Sequence, residues 1–368
     1  MSLFSFNYLK EHFKKMDWWL VIIPFLLVGL GIISIYSSSL GRGDFSNVWK
    51  QAIFLGIGLV LMFGISFLNW RTFNNNPYLI LLLYFFGVFT LIGLYFFAPE
   101  IRGIRGWYRI GPFSLDPVQF FKIILIVLLA KYFSQRHIEM YKFQHIILSG
   151  IYVFIPSALI FFQPDAGSAS ILIIIWAGIL LISGIKIRHF VILSLTALLV
   201  FALSWTFVFR DYKKDRIISF INPYVDVLGE GWSRIQTRIA IGQGGILGQG
   251  IGQGSQTQYG FLPEPQTDFI FASIAEEMGL LGVSILLALY VFLGWRIIKI
   301  ATLTSVNFCR FFAFGFIILI GSQAFINIGM NLGLLPIIGL SLPFISYGGS
   351  SLISLFIGLG ILQSIRKN

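Results

Sequence analysis

Charge is scarce in this sequence. Asp, Glu, Lys and Arg make up 11% of its 368 residues, against roughly 25% in a soluble globular domain. Hydrophobic residues reach 57% and the mean hydropathy is +0.86, so the chain reads as an integral membrane protein. Cysteine is nearly absent. Cys309 stands alone inside an apolar run, which excludes an intramolecular disulfide and a cysteine-based zinc site. No basic helix or basic–aromatic module is present, so the net charge of +11 does not indicate a nucleic-acid partner. A strict GxGxxG or Walker pattern in a βαβ setting is also missing, which argues against a nucleotide site. Lys10, Lys14 and Lys15 precede a first apolar run without an A-x-A-like end, the pattern of an uncleaved anchor rather than a signal peptide.

What is present is apolar runs near the ~20 residues that a bilayer-spanning helix needs. Ten lie near 18–40, 48–68, 78–98, 117–133, 145–163, 168–184, 189–209, 268–294, 309–335 and 348–365. They are apolar all round rather than alternating, which points to helices and not to a barrel. The expectation is an all-α polytopic membrane protein, one domain over 1–368, with about ten transmembrane helices and a large outer loop, 210–267, before the eighth. With both termini on one side, that side gathers most of the Lys and Arg, among them Lys10, Arg71, Lys131, Lys186, Arg296 and Arg366, and only Glu11, Asp17 and Glu139 as acids. The basic side is therefore expected to be cytoplasmic.

Two outer segments are too long to be simple turns. Residues 98–116 carry Arg102, Arg105 and Arg109 beside Trp107 and Tyr108, either an interfacial belt or a site for an anionic headgroup. In 210–267, Ser233–Ala240 suits a short amphipathic helix on the membrane, with Arg234 and Arg238 on one face. The Gly/Gln stretch after it reads as a flexible linker or as a loop whose N–H groups cradle phosphate. Then comes LPEPQTDFIFASIAEE, Leu262–Glu277. Pro263 and Pro265 keep the approach extended, and helix becomes favourable at Thr267–Asp268. Asp268 is thus either an N-terminal cap or a catalytic carboxylate at the membrane surface.

Charges inside spans are costly. Lys122 lies one and a half turns into the fourth run and can snorkel outward. Asp165, in the break between the fifth and sixth runs, fits a cap or a ligand. Of the adjacent Glu276 and Glu277, at least one is expected to have a structural partner. The ninth and tenth runs are joined by NLGLLPIIGLSLPFISYGGSS, where Pro336, Pro343 and Gly348-Gly349 break helix and Ser346, Ser350 and Ser351 add hydroxyls. Irregular backbone at membrane depth lines a wet cavity or is buried in protein, so a cavity is expected under the outer face, near Asp268.

The run from Asn327 through Gly333, Pro336 and Gly339 to LPFISYGGSS resembles the signature of the SEDS family (shape, elongation, division and sporulation). LPEPQTDFIFASIAEE is similar to that family's loop-to-helix motif, QPDAGSA to its QPD motif, and the likeness covers nearly the whole chain. GQGSQTQYGFLPEPQTDFIFA resembles the elongation (RodA) branch more than the division (FtsW) branch. The resemblance implies a peptidoglycan glycosyltransferase in the bacterial inner membrane, both termini cytoplasmic, that polymerises lipid II with inversion. Asp268 matches the family's essential aspartate, a general base on the acceptor hydroxyl. Glu264, close by in sequence, bears on how basic Asp268 is. Arg102, Arg105, Arg109, Lys122, loop N–H groups or a divalent cation (Mg or Mn) would stabilise the leaving diphosphate, and no organic cofactor is expected. Thr267, Asp165, Ser346 and Ser350 complete the expected substrate site. The implied partner is a class B penicillin-binding protein, with other elongation-complex membrane proteins, because this sequence shows no Ser-x-x-Lys transpeptidase domain of its own.

Two departures stand out. The family often has Gln-Pro-Ser-Glu-x-x-Lys at the start of the fourth span, and here the run is Asp116-Pro117-Val118-Gln119-Phe120-Phe121-Lys122. Lys122 either lacks its carboxylate or is reached by Asp116 from outside the helix. The Arg-Trp pair of the preceding loop is Gly106-Trp107, with Arg105 one place earlier. A lipid II flippase or other transporter is the alternative reading, since broken helices with intramembrane polar groups suit it too. Against it, the two halves show no clear repeat.

Overall fold

The computed structural model describes residues 6–100, 106–111, 113–136, 143–207, 220 and 230–367. A helix stands at each of the ten apolar runs: α2 (Trp19–Leu40), α3 (Ser46–Phe67), α5 (Pro77–Phe97), α6 (Pro117–Arg136), α7 (Phe143–Phe162), α8 (Ala166–Ile182), α9 (Ile187–Phe207), α12 (Ile270–Leu303), α13 (Asn307–Asn331) and α14 (Gly349–Lys367). Among the described residues, eight of these are long and apolar enough to cross a membrane, and the apolar stretches in α8 and α9 are shorter. The chain is a polytopic helical membrane protein. Among the described residues there are also four shorter helices: α1 (Phe6–Lys15), α4 (Arg71–Asn75), α10 (Glu230–Gly244) and α11 (Ser255–Gln258). A small antiparallel hairpin, β1 (Tyr108–Ile110) with β2 (Phe113–Leu115), pairs Tyr108 with Leu115 and leads into α6.

One continuous apolar core runs through the bundle, with α6, α13 and α14 at its centre. Lipid tails are as apolar as leucine, so close approach and packing hold such helices together. Gly58 of α3 and Gly358 of α14 allow it: a Cβ there would come within 2.6 Å of the Phe356 ring and 2.2 Å of the Phe316 ring. At one end of the bundle Asp17 pairs with Arg296 of α12 and with Arg366 of α14 (3.7 Å). The Gln363 amide brackets the Asp17 backbone, accepting from its N–H at 2.9 Å and donating to its carbonyl at 2.8 Å. The N-terminal and C-terminal helices therefore meet at the same end.

Three expectations change. The eighth span begins at Ile270 rather than Asp268, and it is broken at Gly279 (φ 61°, ψ −161°) before running on to Leu303. The Gly/Gln stretch is docked rather than a free linker, and several of its N–H groups are occupied. Those of Gln249 and Gly250 donate to the carbonyls of Glu276 and Glu277 at 2.9 and 3.0 Å, and that of Gly252 donates to Ser37 Oγ at 2.8 Å. The stretch fills the break in α12, where the N–H groups of Leu280 and Leu281 donate back to Gly245 and Ile246 at 2.9 and 3.2 Å. Finally, α10 is longer than Ser233–Ala240 and lies against protein: Arg234 donates to Gly333 O at 2.6 Å, and Gly244 backs onto the Ala275 carbonyl.

Candidate active site

The turn before α12 is built by backbone bonds. The Glu264 carbonyl accepts from the N–H groups of Thr267 and Phe269 at 3.2 and 3.3 Å, with Glu264 itself at φ 44°. Phe269 occupies the cap position and makes no side-chain capping bond, so Asp268 is not the cap of α12. Its carbonyl is gripped instead by two amides from α13, Asn327 Nδ2 and Asn331 Nδ2, each at 3.0 Å. Its carboxylate faces Gly339 (φ +69°), where a Cβ would stand 3.6 Å from Oδ2.

The broken connection between α13 and α14 wraps this turn. Asn327 Nδ2 also donates to Leu340 O at 2.6 Å. Ser346 Oγ donates to Thr267 O at 2.6 Å and accepts from the Leu342 N–H at 2.8 Å, while the Tyr347 N–H donates to Gln266 O at 2.8 Å. The Gln266 amide is held by Asn47 and Ser39 at 2.7 and 3.2 Å. The carbonyls of Gln266, Thr267, Asp268 and Leu340 thus all find partners, as a membrane-embedded loop requires, while Asn331 Oδ1 is buried without one among the described residues.

Beneath the turn lies a cavity of about 830 Å³. Its walls bring together Glu264, Thr267 and Asp268 from the turn, Arg109 from β1, Asp116 and Lys122 from the start of α6, and Asp165 from the α7–α8 turn. Lys122 is buried, 1% exposed, and turns inward to Gln119 rather than snorkelling out: its Nζ donates to Gln119 Oε1 at 3.1 Å. Gln119 Nε2 donates in turn to Asp116 Oδ2 at 2.8 Å. Burial pushes the Asp116 carboxyl up to about 6, against the pull of Lys122. Asp165 does cap α8, accepting from the Ser168 N–H at 2.9 Å, and it still lines the cavity.

The two buried acids of α12 are both structural. Glu276 accepts from the N–H groups of Gln256 and Thr257 (2.7 and 3.0 Å) and from the Thr257 hydroxyl (2.7 Å). Glu277 accepts from Ser37 Oγ at 2.5 Å and Gln258 Nε2 at 3.1 Å. Together they fasten α11 and its flanking loop to the upper part of α12.

Of the residues singled out in the sequence, Asp268, Glu264, Thr267, Lys122, Arg109, Asp165 and Ser350 share this cavity. Ser346 does not line it; its hydroxyl is spent on holding the turn. Arg102 and Arg105 lie outside the described residues. Sequence reasoning passed over Lys50 in the first turn of α3 and Gln323 in α13, which also face the cavity. An amide inside an apolar run was a usable signal for Gln323. Lys50 looks like any interfacial lysine. Among the described residues no three His, Cys, Asp or Glu side chains gather as a metal site.

Comparison with known proteins adds to this. Residues 17–368 match the family model FTSW_RODA_SPOVE, described as cell cycle protein. The chain is 37% identical to stage V sporulation protein E of Bacillus subtilis (strain 168), over 95% of this chain and 97% of that protein. It is 33% identical to peptidoglycan glycosyltransferase MrdB of Escherichia coli (strain K12), over 96% of each. Among solved structures it superimposes, with a TM-score of 0.81 and 30% identity over 95% of this chain and 97% of the other, on a chain from work on structural coordination of polymerization and crosslinking by a peptidoglycan synthase complex. The rod shape determining protein RodA of Thermus thermophilus follows, with a TM-score of 0.70 and 28% identity over 95% and 96% of the two chains.

Proposed function

Because the chain belongs to the FtsW/RodA/SpoVE family and is a peptidoglycan glycosyltransferase, we propose that it polymerises lipid II in the cavity under Asp268. The observation that carries this reading is the convergence on one cavity of a carboxylate and separate cations: Asp268 beside Gly339, and Lys122, Arg109 and Lys50 in the walls. Asp268 takes the proton of the acceptor sugar's 4-hydroxyl as that oxygen attacks the donor's anomeric carbon. The bond from that carbon to the diphosphate breaks, and undecaprenyl diphosphate leaves with the electron pair. A single in-line displacement inverts the anomeric centre. Lys122, Arg109 and Lys50 take up the charge that develops on the diphosphate, in a site where water screens it little.

A divalent cation belongs to this proposal too. Mg²⁺ is commonly held by one or two carboxylates together with substrate phosphates, and among the carboxylates lining the cavity Asp268 and Glu264 lie on the turn before α12. The cavity end of the bundle is read as extracellular and the Asp17–Arg366 end as cytoplasmic, on the distribution of Lys and Arg. A class B penicillin-binding protein is the proposed partner, since one structural neighbour comes from a peptidoglycan synthase complex. A role in cell elongation rests on the likeness of the 252–272 region to the RodA branch.

The test is to supply purified chain, alone and with its penicillin-binding protein, with lipid II and a divalent cation. Glycan strands are expected. If no strands form in either case while lipid II crosses vesicles carrying the protein, the transport reading replaces this one.

A further inference from the structure

Lys122 is a fully buried ammonium, and the residue one helical turn before it is a neutral amide. An amide has two unlike ends, and their order here is fixed by its neighbours. A lysine only donates and a carboxylate only accepts. Gln119 therefore turns Oε1 to Lys122 Nζ (3.1 Å) and Nε2 to Asp116 Oδ2 (2.8 Å). Asp116 is itself anchored on both sides: Oδ1 accepts from the Val118 N–H at 2.9 Å, and its own N–H donates to Ser350 Oγ at 2.9 Å. If Asp116 were neutral and able to donate, the amide could rotate and set its NH₂ against the ammonium, donor against donor.

We propose that Asp116 is a positioning residue for the transfer reaction: through the oriented amide of Gln119 it holds the Lys122 ammonium in the cavity wall, where it receives the diphosphate of the lipid-linked sugar. The inference rests on reading the cavity as the lipid II site. It assigns Asp116 the charge that a carboxylate at 119 would supply, so acid and amide have changed places one turn apart. Lys122 keeps a fixed acceptor at one hydrogen, and its remaining hydrogens are not claimed by a full ion pair. Two other charges bear on the arrangement. Asp165 raises the Asp116 carboxyl and Lys122 lowers it, with burial the largest influence.

The experiment compares wild type with Asp116→Asn, Gln119→Met and the exchanged pair Asp116→Asn/Gln119→Glu, each as the full chain with its partner. Initial rates are taken over a range of lipid II concentrations. Melting midpoints are taken with and without undecaprenyl diphosphate. Asp116→Asn and Gln119→Met should each lose about tenfold or more in kcat/KM, mostly through KM, the scale of one charge-assisted hydrogen bond. Both should also lose most of the midpoint shift caused by undecaprenyl diphosphate. The exchanged pair restores a carboxylate to Lys122 and should recover most of both losses. Recovery from position 119 is not expected of a residue that merely anchors the hairpin to Ser350. Asp116→Asn within about twofold of wild type, or an exchanged pair no faster than the single variant, overturns the proposal. Gln119→Met leaves Asp116 and its anchors in place, so it decides the matter if Asp116→Asn does not fold. A wild type that makes strands while these variants are unmoved refutes the relay alone. A wild type that neither makes strands nor responds to undecaprenyl diphosphate refutes the substrate reading beneath it.

Discussion

Asn327 uses one side-chain nitrogen to bind two carbonyls, Asp268 O at 3.0 Å and Leu340 O at 2.6 Å. One amide in α13 thereby joins the turn that carries the cavity carboxylate to the broken loop that faces it. Asn331, a turn later, repeats the grip on Asp268 O at 3.0 Å. The position of the carboxylate is thus set through its own backbone.

Asn327→Ala would take the side-chain donor from the Leu340 carbonyl and leave Asp268 O with Asn331 alone, a cost of ~1–3 kcal/mol. The activity loss should be larger than the stability loss suggests, because a displacement of ~1 Å in a reacting group can cost a hundredfold in rate. Melting midpoints and initial rates on the same preparation check this. Unchanged rates in a destabilised variant would separate the clamp from the chemistry.

Glu276 holds α11 by three bonds of 3.0 Å or less. Glu276→Gln replaces one of the two acceptor oxygens with a donor, and because the Gln256 and Thr257 N–H groups bond different oxygens, one of them loses its partner, at ~1–3 kcal/mol. Hydrogen exchange across 249–258 should accelerate while α13 stays protected. Equal protection in both proteins would mean that the loop is held by something else.

Gly248 sits at φ +82°, where a Cβ would meet the Glu277 carbonyl oxygen at 2.1 Å. Gly242, on α10, has nothing within 4 Å of such a Cβ. Gly248→Ala should therefore lower the melting midpoint sharply, and Gly242→Ala should raise it, as helix propensity favours alanine by ~1 kcal/mol. Similar midpoints for the two variants would contradict the docking of the glycine stretch into the break of α12.

Asp116 gives the chain a pH signature. Its carboxyl is raised from an ordinary 3.8 to about 6, chiefly by burial, with Lys122 and Asp165 the charged groups facing it. In the folded state it keeps a proton that the unfolded chain has already released. Its contribution to stability is therefore fully present below the ordinary value and is lost as pH rises through about 6. Melting midpoints of wild type should fall relative to Asp116→Asn across that window. Parallel curves would place the raised carboxyl elsewhere.

The helices were legible because ten apolar runs of bilayer length leave the backbone no other way to satisfy its hydrogen bonds. The cavity was legible in outline, since Pro336, Pro343 and Gly348-Gly349 break helix at a depth where broken helix must face a cavity or protein. What escaped was whatever depended on a distant segment. Nothing local in the sequence marks a break at Gly279, which exists because residues 245–250 supply the hydrogen bonds that α12 gives up there. The Gly/Gln stretch read as a linker for the same reason, its partners lying some thirty residues on. For Asp268 the cap reading stood open because helix propensity begins there, yet the grip of Asn327 and Asn331 on its carbonyl goes with a helix that starts at Ile270.

The most direct test of the central claim is lipid II polymerisation by Asp268→Asn beside wild type, both with the partner protein and both shown to be folded. The cap position of α12 belongs to Phe269, so loss of activity cannot be laid to an uncapped helix. The account predicts a variant of near wild-type melting midpoint that makes no strands. Polymerisation by Asp268→Asn at the wild-type rate would contradict it.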